Sequence, residues 1–152
     1  MKNLTWQNPE QLFVAQELIN KVKSKCCGIK VDKEDDAAAK NWGGSWRMPT
    51  ITELKELSNT SNCTWTWTTQ NGKNGYKVTS NKNGNSIFLP AAGYYYGTAL
   101  IFAGREGYYM SSMISSTYAI TAYYIRFKSD SYYCDLTNRP NGYSIRAVCK
   151  NQ

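Results

Sequence analysis

The sequence predicts a single α+β domain, with helices in the first third of the chain and antiparallel strands in the remainder. Three observations lead to this class. Apolar residues recur at helical spacing near the start, side chains alternate with a period of two after Cys63, and glycine-containing turn signals follow at short intervals. Because 152 residues suit one core of ordinary size, we assign 1–152 to one domain with 1–33 as a helical N-terminal extension.

Three helices are predicted before the first strand. The first spans about 9–24, because an Asn-Pro pair provides an N-cap and a proline at the first helical position, and apolar residues follow at helical spacing. The second lies within 34–44, where acidic residues precede a run of alanines and two glycines end the helix. The third begins at a capping box made by Thr50 and Glu53 and ends near Ser58.

Strands are predicted from alternation. Residues 64–69 place threonine on one face and tryptophan on the other, which is typical of a half-buried strand. Short runs at 76–79 and 86–89 are expected to continue the sheet. Turn signals separate these runs. They occur at Asn71-Gly72, Asn74-Gly75, Asn83-Gly84, Gly93, Gly97, Gly104, Gly107 and Asn141-Gly142.

The composition favours recognition over catalysis. The chain has no histidine, which excludes histidine-based triads, dyads and zinc sites. The net charge is +7, but charged residues make up only 19% of the chain, so the positive charge is thinly spread. Tyrosine is abundant, with 12 copies, and it offers rigid contact area beside the adaptable hydrogen bonds of Ser, Asn and Gly.

Four segments carry a family resemblance. They are 41–50 (Asn-Trp-Gly-Gly-Ser-Trp-Arg-Met-Pro-Thr), 86–93 (Ser-Ile-Phe-Leu-Pro-Ala-Ala-Gly), 107–112 (Gly-Tyr-Tyr-Met-Ser-Ser) and 142–149 (Gly-Tyr-Ser-Ile-Arg-Ala-Val-Cys). Together they resemble the Fibrobacter succinogenes major paralogous domain family, a bacterial branch of the C-type-lectin-like fold, with Met110 in place of the family's usual tryptophan. The resemblance begins near Asp35. It implies helices packed on a twisted antiparallel sheet with long loops, and a final strand around 144–149 that brings the termini together.

The residues within these segments are typical of a scaffold. Apolar side chains of the kind that fill a core, each worth about 1.5–3 kcal/mol when buried, are Trp46, Met48, Leu89, Ile145 and Val148. Nothing in the segments places a nucleophile beside a base. Arg47 and Arg146 either join parts of the fold as partnered cations or bind an anionic ligand, and we favour the structural role.

The binding surface is predicted within 113–143. Along one strand, Ala122, Tyr123, Ile125 and Phe127 are expected to face inward, and Tyr124, Arg126 and Lys128 to face solvent. Residues 131–138 then mix aromatic, thiol, acidic, aliphatic and hydroxyl side chains without the periodicity of a core. The side chains predicted to share one solvent-facing surface, bordered by Tyr118 and Ile120, are Tyr124, Arg126, Tyr133, Asp135, Leu136, Thr137 and Asn138.

The same region resembles the variable segment of relatives that retroelements diversify by replacing the adenines of asparagine codons. The candidate variable, ligand-binding positions implied by this resemblance are Tyr118, Ile120, Tyr124, Arg126, Ser131, Tyr133, Asp135, Leu136, Thr137, Asn138 and Pro140. Lys128 is not reachable by that route, and a fixed loop of an ordinary surface protein is the alternative. Because tyrosine and arginine are frequent at hot spots, Tyr124, Arg126 and Tyr133 are the predicted energetic anchors.

These observations predict a non-enzymatic binding domain of the adhesin or receptor-binding kind. The implied partner is a protein or glycan on another cell or on a virion, and the implied location is a bacterial or phage surface. Two alternatives stay open, namely an oxidase of the formylglycine-generating type and a structural subunit of a surface fibre. No cofactor or metal is expected: the Arg-Pro-Asn at 139–141 lacks the acid of calcium-dependent lectins, and the acidic residues at 32–36 are expected to be solvated.

Other partners are not expected. Lysines are scattered instead of forming a stripe, which argues against nucleic acid. The first residues turn polar at once, and the apolar run at 99–103 is far shorter than the roughly 20 residues of a membrane span, so neither a signal peptide nor membrane insertion is expected. The cysteines lack CxxC spacing and are predicted to be reduced or buried thiols. They are Cys26, Cys27, Cys63, Cys134 and Cys149.

Overall fold

The structure, a computed structural model, describes residues 4–6, 31–117, 120–138 and 141–150. In this part of the chain, ten strands form four antiparallel sheets and two short helices accompany them, an α+β arrangement in which sheet predominates. The predicted helix at 9–24 lies outside the described residues. The helices are α1 (Ala37–Trp42) and α2 (Ile51–Ser58), and the strands are β1 (Leu4–Trp6), β2 (Cys63–Gln70), β3 (Lys73–Ser80), β4 (Ser86–Pro90), β5 (Tyr94–Tyr96), β6 (Ala99–Ile101), β7 (Glu106–Ile114), β8 (Thr121–Lys128), β9 (Ser131–Asn138) and β10 (Val148–Lys150).

The carboxylate of Asp36 fixes the start of α1. It accepts hydrogen bonds from the backbone N–H of Ala38 at 2.9 Å and of Ala39 at 3.0 Å, and its two oxygens also accept from Met48 N at 3.0 and 2.9 Å. Asp36 is buried, so the prediction that the acidic residues before this helix are solvated is wrong for Asp36. The helix ends at Gly43, whose φ of 66° suits glycine. The short predicted helix is therefore confirmed.

The predicted capping box at the start of α2 is also confirmed. Thr50 Oγ1 accepts from Glu53 N at 3.2 Å, and Glu53 Oε2 accepts from Thr50 N at 2.9 Å. Arg47 adds a bidentate ion pair, donating to Glu53 Oε2 at 2.8 Å and to Oε1 at 2.6 Å. Burial opposes ionisation of Glu53, but these hydrogen bonds outweigh it and lower the pKa of the carboxyl. Arg47 therefore has the predicted structural role.

A first apolar core joins the sheet β2-β3-β4 to the sheet β7-β8-β9, and α2 packs against it. The tryptophans of β2 alternate with threonines as predicted, and the rings of Trp65 and Trp67 meet Tyr76 edge-on at 5.2 and 5.1 Å. Phe127 of β8 contacts all three rings. Other buried members of this core are Leu54, Leu57, Val78, Leu89, Tyr109 and Ile125.

Two glycines predicted to form turns lie inside strands. Gly107 belongs to β7 and Gly75 to β3, so the turn predictions at these positions are wrong. The reason is close packing: a Cβ on Gly107 would lie 2.0 Å from a ring carbon of Phe127, and one on Gly75 would lie 2.2 Å from the Leu89 carbonyl oxygen. Each glycine admits a neighbour at a distance that no other residue allows.

A second apolar core covers the opposite face of β7 and β8, so these two strands are buried on both sides, whereas β9 has no fully buried residue. Ala122 faces inward as predicted, but the prediction that Tyr124 faces solvent is wrong, because both residues lie on this face and both are buried. Tyr123, Ile125 and Phe127 belong to the first core, as predicted. The other buried members of the second core are Ala38, Met48, Tyr108, Met110, Tyr143, Ile145 and Ala147, with Trp46 partly buried against them.

Strands near the two ends of the chain pair, as predicted. β1 pairs with β10 in an antiparallel register that places Trp6 opposite Val148. The final strand is shorter than the predicted 144–149, because residues 144–147 lie outside it. Ser144 forms a single bridge to Tyr109, and Val148, the first residue of β10, forms one to Arg47. In the described ranges, no helix has the length and apolar character that crossing a membrane requires.

Candidate ligand-binding surface

The register of the β8–β9 pair decides which side chains share a face. Arg126 lies opposite Tyr133, and Tyr124 lies opposite Asp135. Directly opposed residues of an antiparallel pair project to the same side. This side of the two strands, which we call the β8–β9 face, carries Ala122, Tyr124, Arg126, Tyr133, Asp135 and Thr137.

Leu136 and Asn138 lie on the other side of β9, together with Tyr132 and Cys134. The prediction that they share a surface with Tyr133 and its neighbours is therefore wrong. On that other side Tyr132 stacks on Trp65, with ring centroids 4.4 Å apart, and packs against the first core. Only alternate residues of β9 belong to the β8–β9 face, because side chains of a strand alternate between its two sides.

Arg126 is held in place by its neighbours. Its Nε donates to Glu106 Oε2 at 2.9 Å, its Nη2 lies 2.8 Å from the same oxygen, and its Nη1 donates to the Tyr133 hydroxyl at 2.8 Å. Tyr108 donates its own hydroxyl to that Glu106 oxygen. Burial opposes the charge of Arg126, but the hydrogen bonds to Glu106 and Tyr133 and the charge interactions with Glu106 and Tyr108 together outweigh it and raise the pKa of the guanidinium. Arg126 is thus a half-buried positioning group with a balanced charge, and less open to solvent than predicted.

Tyr124 is a buried residue of the β8–β9 face. Only 7% of this residue is exposed, so it does not face solvent as predicted. Its ring lies parallel to Tyr108 with centroids 6.1 Å apart and 5.1 Å from the Tyr143 ring. Burial raises the pKa of Tyr124 to about 12. These contacts make Tyr124 part of the platform under the face.

The accessible groups of the face come from β9. Tyr133 is 42% exposed, and Asp135 beside it is also exposed. The Asp135 carboxylate accepts from Leu136 N at 2.8 Å, and the Thr137 hydroxyl lies 3.0 Å from the Tyr143 hydroxyl. The face therefore presents an aromatic ring, a carboxylate and a hydroxyl in a row.

The remaining candidate positions lie around this row. Ile120, just before β8, is 69% exposed. Ser131 opens β9 and donates to Asp130 Oδ1 at 2.9 Å, and Lys128, exposed as predicted, lies 3.3 Å from the same carboxylate oxygen. Two candidates fall outside the described residues, Tyr118 and Pro140.

Sequence reasoning missed the hairpin β5–β6, which lies beside the face. The ring of Tyr94 lies 4.8 Å from that of Tyr108 and 5.4 Å from that of Tyr143, so the hairpin packs on the same platform. Tyr96, two residues further on, is 69% exposed. The run of three tyrosines in β5 is the sequence signal for this hairpin. Because side chains alternate along a strand, Tyr94 and Tyr96 lie on the same side.

The end of this hairpin is hydrogen-bonded to Glu106, the residue that holds Arg126. Phe102 follows β6 with φ of 58°, a left-handed conformation that costs a residue other than glycine about 1–2 kcal/mol. Its carbonyl accepts from Arg105 N and Glu106 N, both at 3.0 Å. Because Glu106 also holds Arg126, the hairpin end and the β8–β9 face share one anchoring residue.

The described residues can be compared with what a metal site or a reactive thiol requires. They contain no group of three or more cysteine, aspartate or glutamate side chains able to hold a metal ion. Burial raises the pKa of the Cys63 and Cys134 thiols, which disfavours the reactive thiolate. Cys134 Sγ lies 4.0 Å from Ser58 Oγ at the end of α2.

No family model, no curated protein and no solved structure matches this chain.

Proposed function

We propose that this chain is a non-enzymatic ligand-binding domain of the adhesin or receptor-binding kind, and that it binds through the β8–β9 face. The observation that carries the proposal is the state of Tyr133, which is 42% exposed although Arg126 fixes its hydroxyl. An exposed aromatic ring that is already ordered loses little conformational entropy when a partner covers it. The partner is a protein or glycan on the surface of another cell or of a virion.

The charge of the face supports a partner other than nucleic acid. Although the chain carries a net charge of +7, Arg126 on this face is balanced by Glu106, and Asp135 is exposed. Lys128 at the edge of the face pairs with Asp130. Phosphate binding needs a concentration of unpaired cations, which this face does not have. Aromatic contact and hydrogen bonds suit it better.

We infer that the fold is C-type-lectin-like, and the convergence of the four motif segments supports this. Segment 41–50 bonds to segment 142–149 through Arg47 N and Val148 O at 3.0 Å. Segment 107–112 bonds to both of them, through Met110 N to Ser144 O at 2.9 Å and Ser112 N to Pro49 O at 2.8 Å. In segment 86–93, Gly93 N donates to the Glu106 carbonyl next to 107–112, at 2.8 Å. Residues that are far apart in the chain thus form one scaffold.

An enzyme of the formylglycine-generating type is the alternative that cysteine substitutions test. Such an enzyme depends on a reactive thiol, so Cys134→Ser or Cys149→Ser would abolish turnover of a cysteine-containing peptide. A binding domain shows no turnover in any variant. The raised pKa of the Cys134 thiol supports the binding domain.

One observation favours a fibre subunit as a second candidate. Among the described residues β9 pairs only with β8, and it is eight residues long with no proline and no bulge in that pairing. Such an edge is open to pairing with another strand. A fibre subunit would form polymers whose size, measured by light scattering, increases with protein concentration. Leu136→Lys on β9 would suppress this polymerisation. A monodisperse wild-type protein contradicts this candidate.

Diversification of the face by a retroelement is also part of the proposal. Variable positions must tolerate change, and the exposure of Tyr133, Asp135 and Ile120 meets that condition. Tyr124 does not, since its ring is packed in the second core. A reverse transcriptase gene next to a near-copy of the codons for 113–143 would establish diversification. A fimbrial or lipoprotein gene cluster without such a copy would contradict it.

The binding test compares two triple variants. One removes the accessible groups of the face by changing Tyr133, Asp135 and Thr137 to alanine. The matched control changes Thr66, Lys77 and Ser86, three exposed residues of the sheet β2-β3-β4, to alanine. On glycan arrays and on whole bacterial cells, a ligand of this domain should be kept by the wild type and the control and lost by the first variant. Equal binding by both variants contradicts the proposal.

A further inference from the structure

Arg146, in the last motif segment, is a buried cation to which the described part of the chain offers no counter-charge. Only 8% of the residue is exposed, and its Nε has no hydrogen-bond partner among the described residues. None of the ion pairs between described residues includes it, and the guanidinium–ring contacts found among them all belong to Arg126. Burying a charge without a partner is costly for the folded state.

The other half-buried arginines show what is missing at Arg146. Arg47 has the carboxylate of Glu53, and Arg126 has the carboxylate of Glu106. For Arg146, burial lowers the pKa of the guanidinium, and among the described residues the group that opposes this shift is the Tyr109 phenol. The Tyr109 hydroxyl already donates a hydrogen bond to the Pro90 carbonyl oxygen, at 2.8 Å. No described carboxylate therefore compensates Arg146.

A second buried donor without a partner lies on an adjoining strand. Ser112 of β7 is fully buried, and its Oγ and Arg146 Nε are the two unpartnered buried side-chain polar atoms of the described residues. Ser112 N bonds to Pro49 O, and Arg47, two residues before Pro49, exchanges hydrogen bonds with Val148, two residues after Arg146. Both unpartnered atoms thus belong to segments that meet at one junction.

We propose that this junction binds a small oxyanion, with Arg146 as its cationic partner. A guanidinium offers planar donors that match the oxygens of phosphate, sulfate or a carboxylate, and a bound anion supplies the missing counter-charge. The proposed site uses none of the residues of the β8–β9 face and does not depend on the proposed function.

The test is thermal unfolding of the whole chain in phosphate, sulfate or acetate, with sodium chloride holding the ionic strength constant. We expect at least one anion to raise the Tm in a saturable way, by about 4 °C at ten times its Kd. Arg146→Met should abolish the rise. Arg105→Met, which removes an exposed arginine and the same charge, should keep it. The absence of a rise with all three anions, or an equal rise in Arg146→Met, overturns the proposal.

A measurement on the wild-type protein covers the case in which Arg146→Met does not fold. The Nε–H resonance of Arg146, assigned through its own Cδ, is followed by NMR while the anion is added. A saturable shift with the same midpoint as the Tm rise supports the site. An unchanged Arg146 resonance overturns it, even where the anion stabilises the protein.

Discussion

Arg126 and Tyr133, directly opposed on β8 and β9, are joined by a 2.8 Å hydrogen bond from a guanidinium nitrogen to the tyrosine hydroxyl. The guanidinium carbon lies 5.9 Å from the centre of the Tyr133 ring and 5.4 Å from that of Tyr108. Glu106 holds the arginine from the other side. The orientation of the exposed ring is thus set by a carboxylate on the far strand of the sheet.

The first prediction separates the ring of Tyr133 from its hydroxyl. Tyr133→Phe keeps the ring but loses the bond to Arg126, and we expect ligand affinity to fall about fivefold, corresponding to about 1 kcal/mol. Tyr133→Ala removes the contact and should cost about 2 kcal/mol or more of binding. Titration calorimetry with the identified ligand measures both. If Tyr133→Phe and Tyr133→Ala are equally impaired, the ring is not the contact.

The second prediction concerns Tyr124. Because its ring is packed between Tyr108 and Tyr143, Tyr124→Ala should leave a cavity and lower the free energy of unfolding by about 3–5 kcal/mol. Asp135→Ala, opposite it but exposed, should change stability by less than about 0.5 kcal/mol. Urea unfolding gives both values. Nearly unchanged stability of Tyr124→Ala would show that the ring is not in the core.

The third prediction tests the contact between Gly107 and Phe127. Gly107→Ala places a methyl group where the Phe127 ring lies and should cost about 1–3 kcal/mol of unfolding free energy. Combining it with Phe127→Leu should cost less than the sum of the two single changes, because the smaller side chain leaves room for the methyl group. Additive costs in this double-mutant cycle would mean that the two residues do not meet.

The fourth prediction is a pH dependence that arises from Glu53. Its pKa in the folded protein is lowered from 4.5, so the stability that its ionised form contributes is present above that value and is lost as the pH falls through the folded pKa. In urea unfolding, wild type should exceed Glu53→Gln in stability at pH 7, and the gap should close in acid. Glu56→Gln, at an exposed position of α2, is the matched control and should show little gap. A constant gap for Glu53→Gln argues against its ionisation as the cause.

The helices were predictable because their signals are local. The Thr50 and Glu53 capping box and the glycines after α1 act within one turn of the chain. The burial of Asp36 was not predictable, because one of its hydrogen-bond donors, Met48 N, lies outside α1 and reaches the carboxylate only in the folded chain. Gly107 shows the same limit, because only the position of Phe127 distinguishes a close contact from a turn.

The sequence predicted which segments carry the candidate surface, but not which of their side chains lie on the exposed side. Alternation of polar and apolar residues identifies the buried side of a strand only when the other side faces solvent. Both sides of β8 are buried, because Ile125 packs in the first core and Tyr124 packs in the second. On β9, Leu136 and Tyr133 are both exposed, but they lie three residues apart in one strand, so alternation places them on opposite sides. The prediction failed because the mixed composition of residues 131–138 does not identify this segment as a strand.

The one-sided packing of β9 has a consequence for how this protein can change. The proposed contact residues Tyr133, Asp135 and Thr137 alternate along one eight-residue segment with Tyr132 and Cys134, which pack against the first core. Substitution can alter the first set while the second keeps the strand in place. Insertion or deletion of a single codon at the start of the segment would exchange the two sets of residues, so the proposed contact residues can vary only by replacement at constant length.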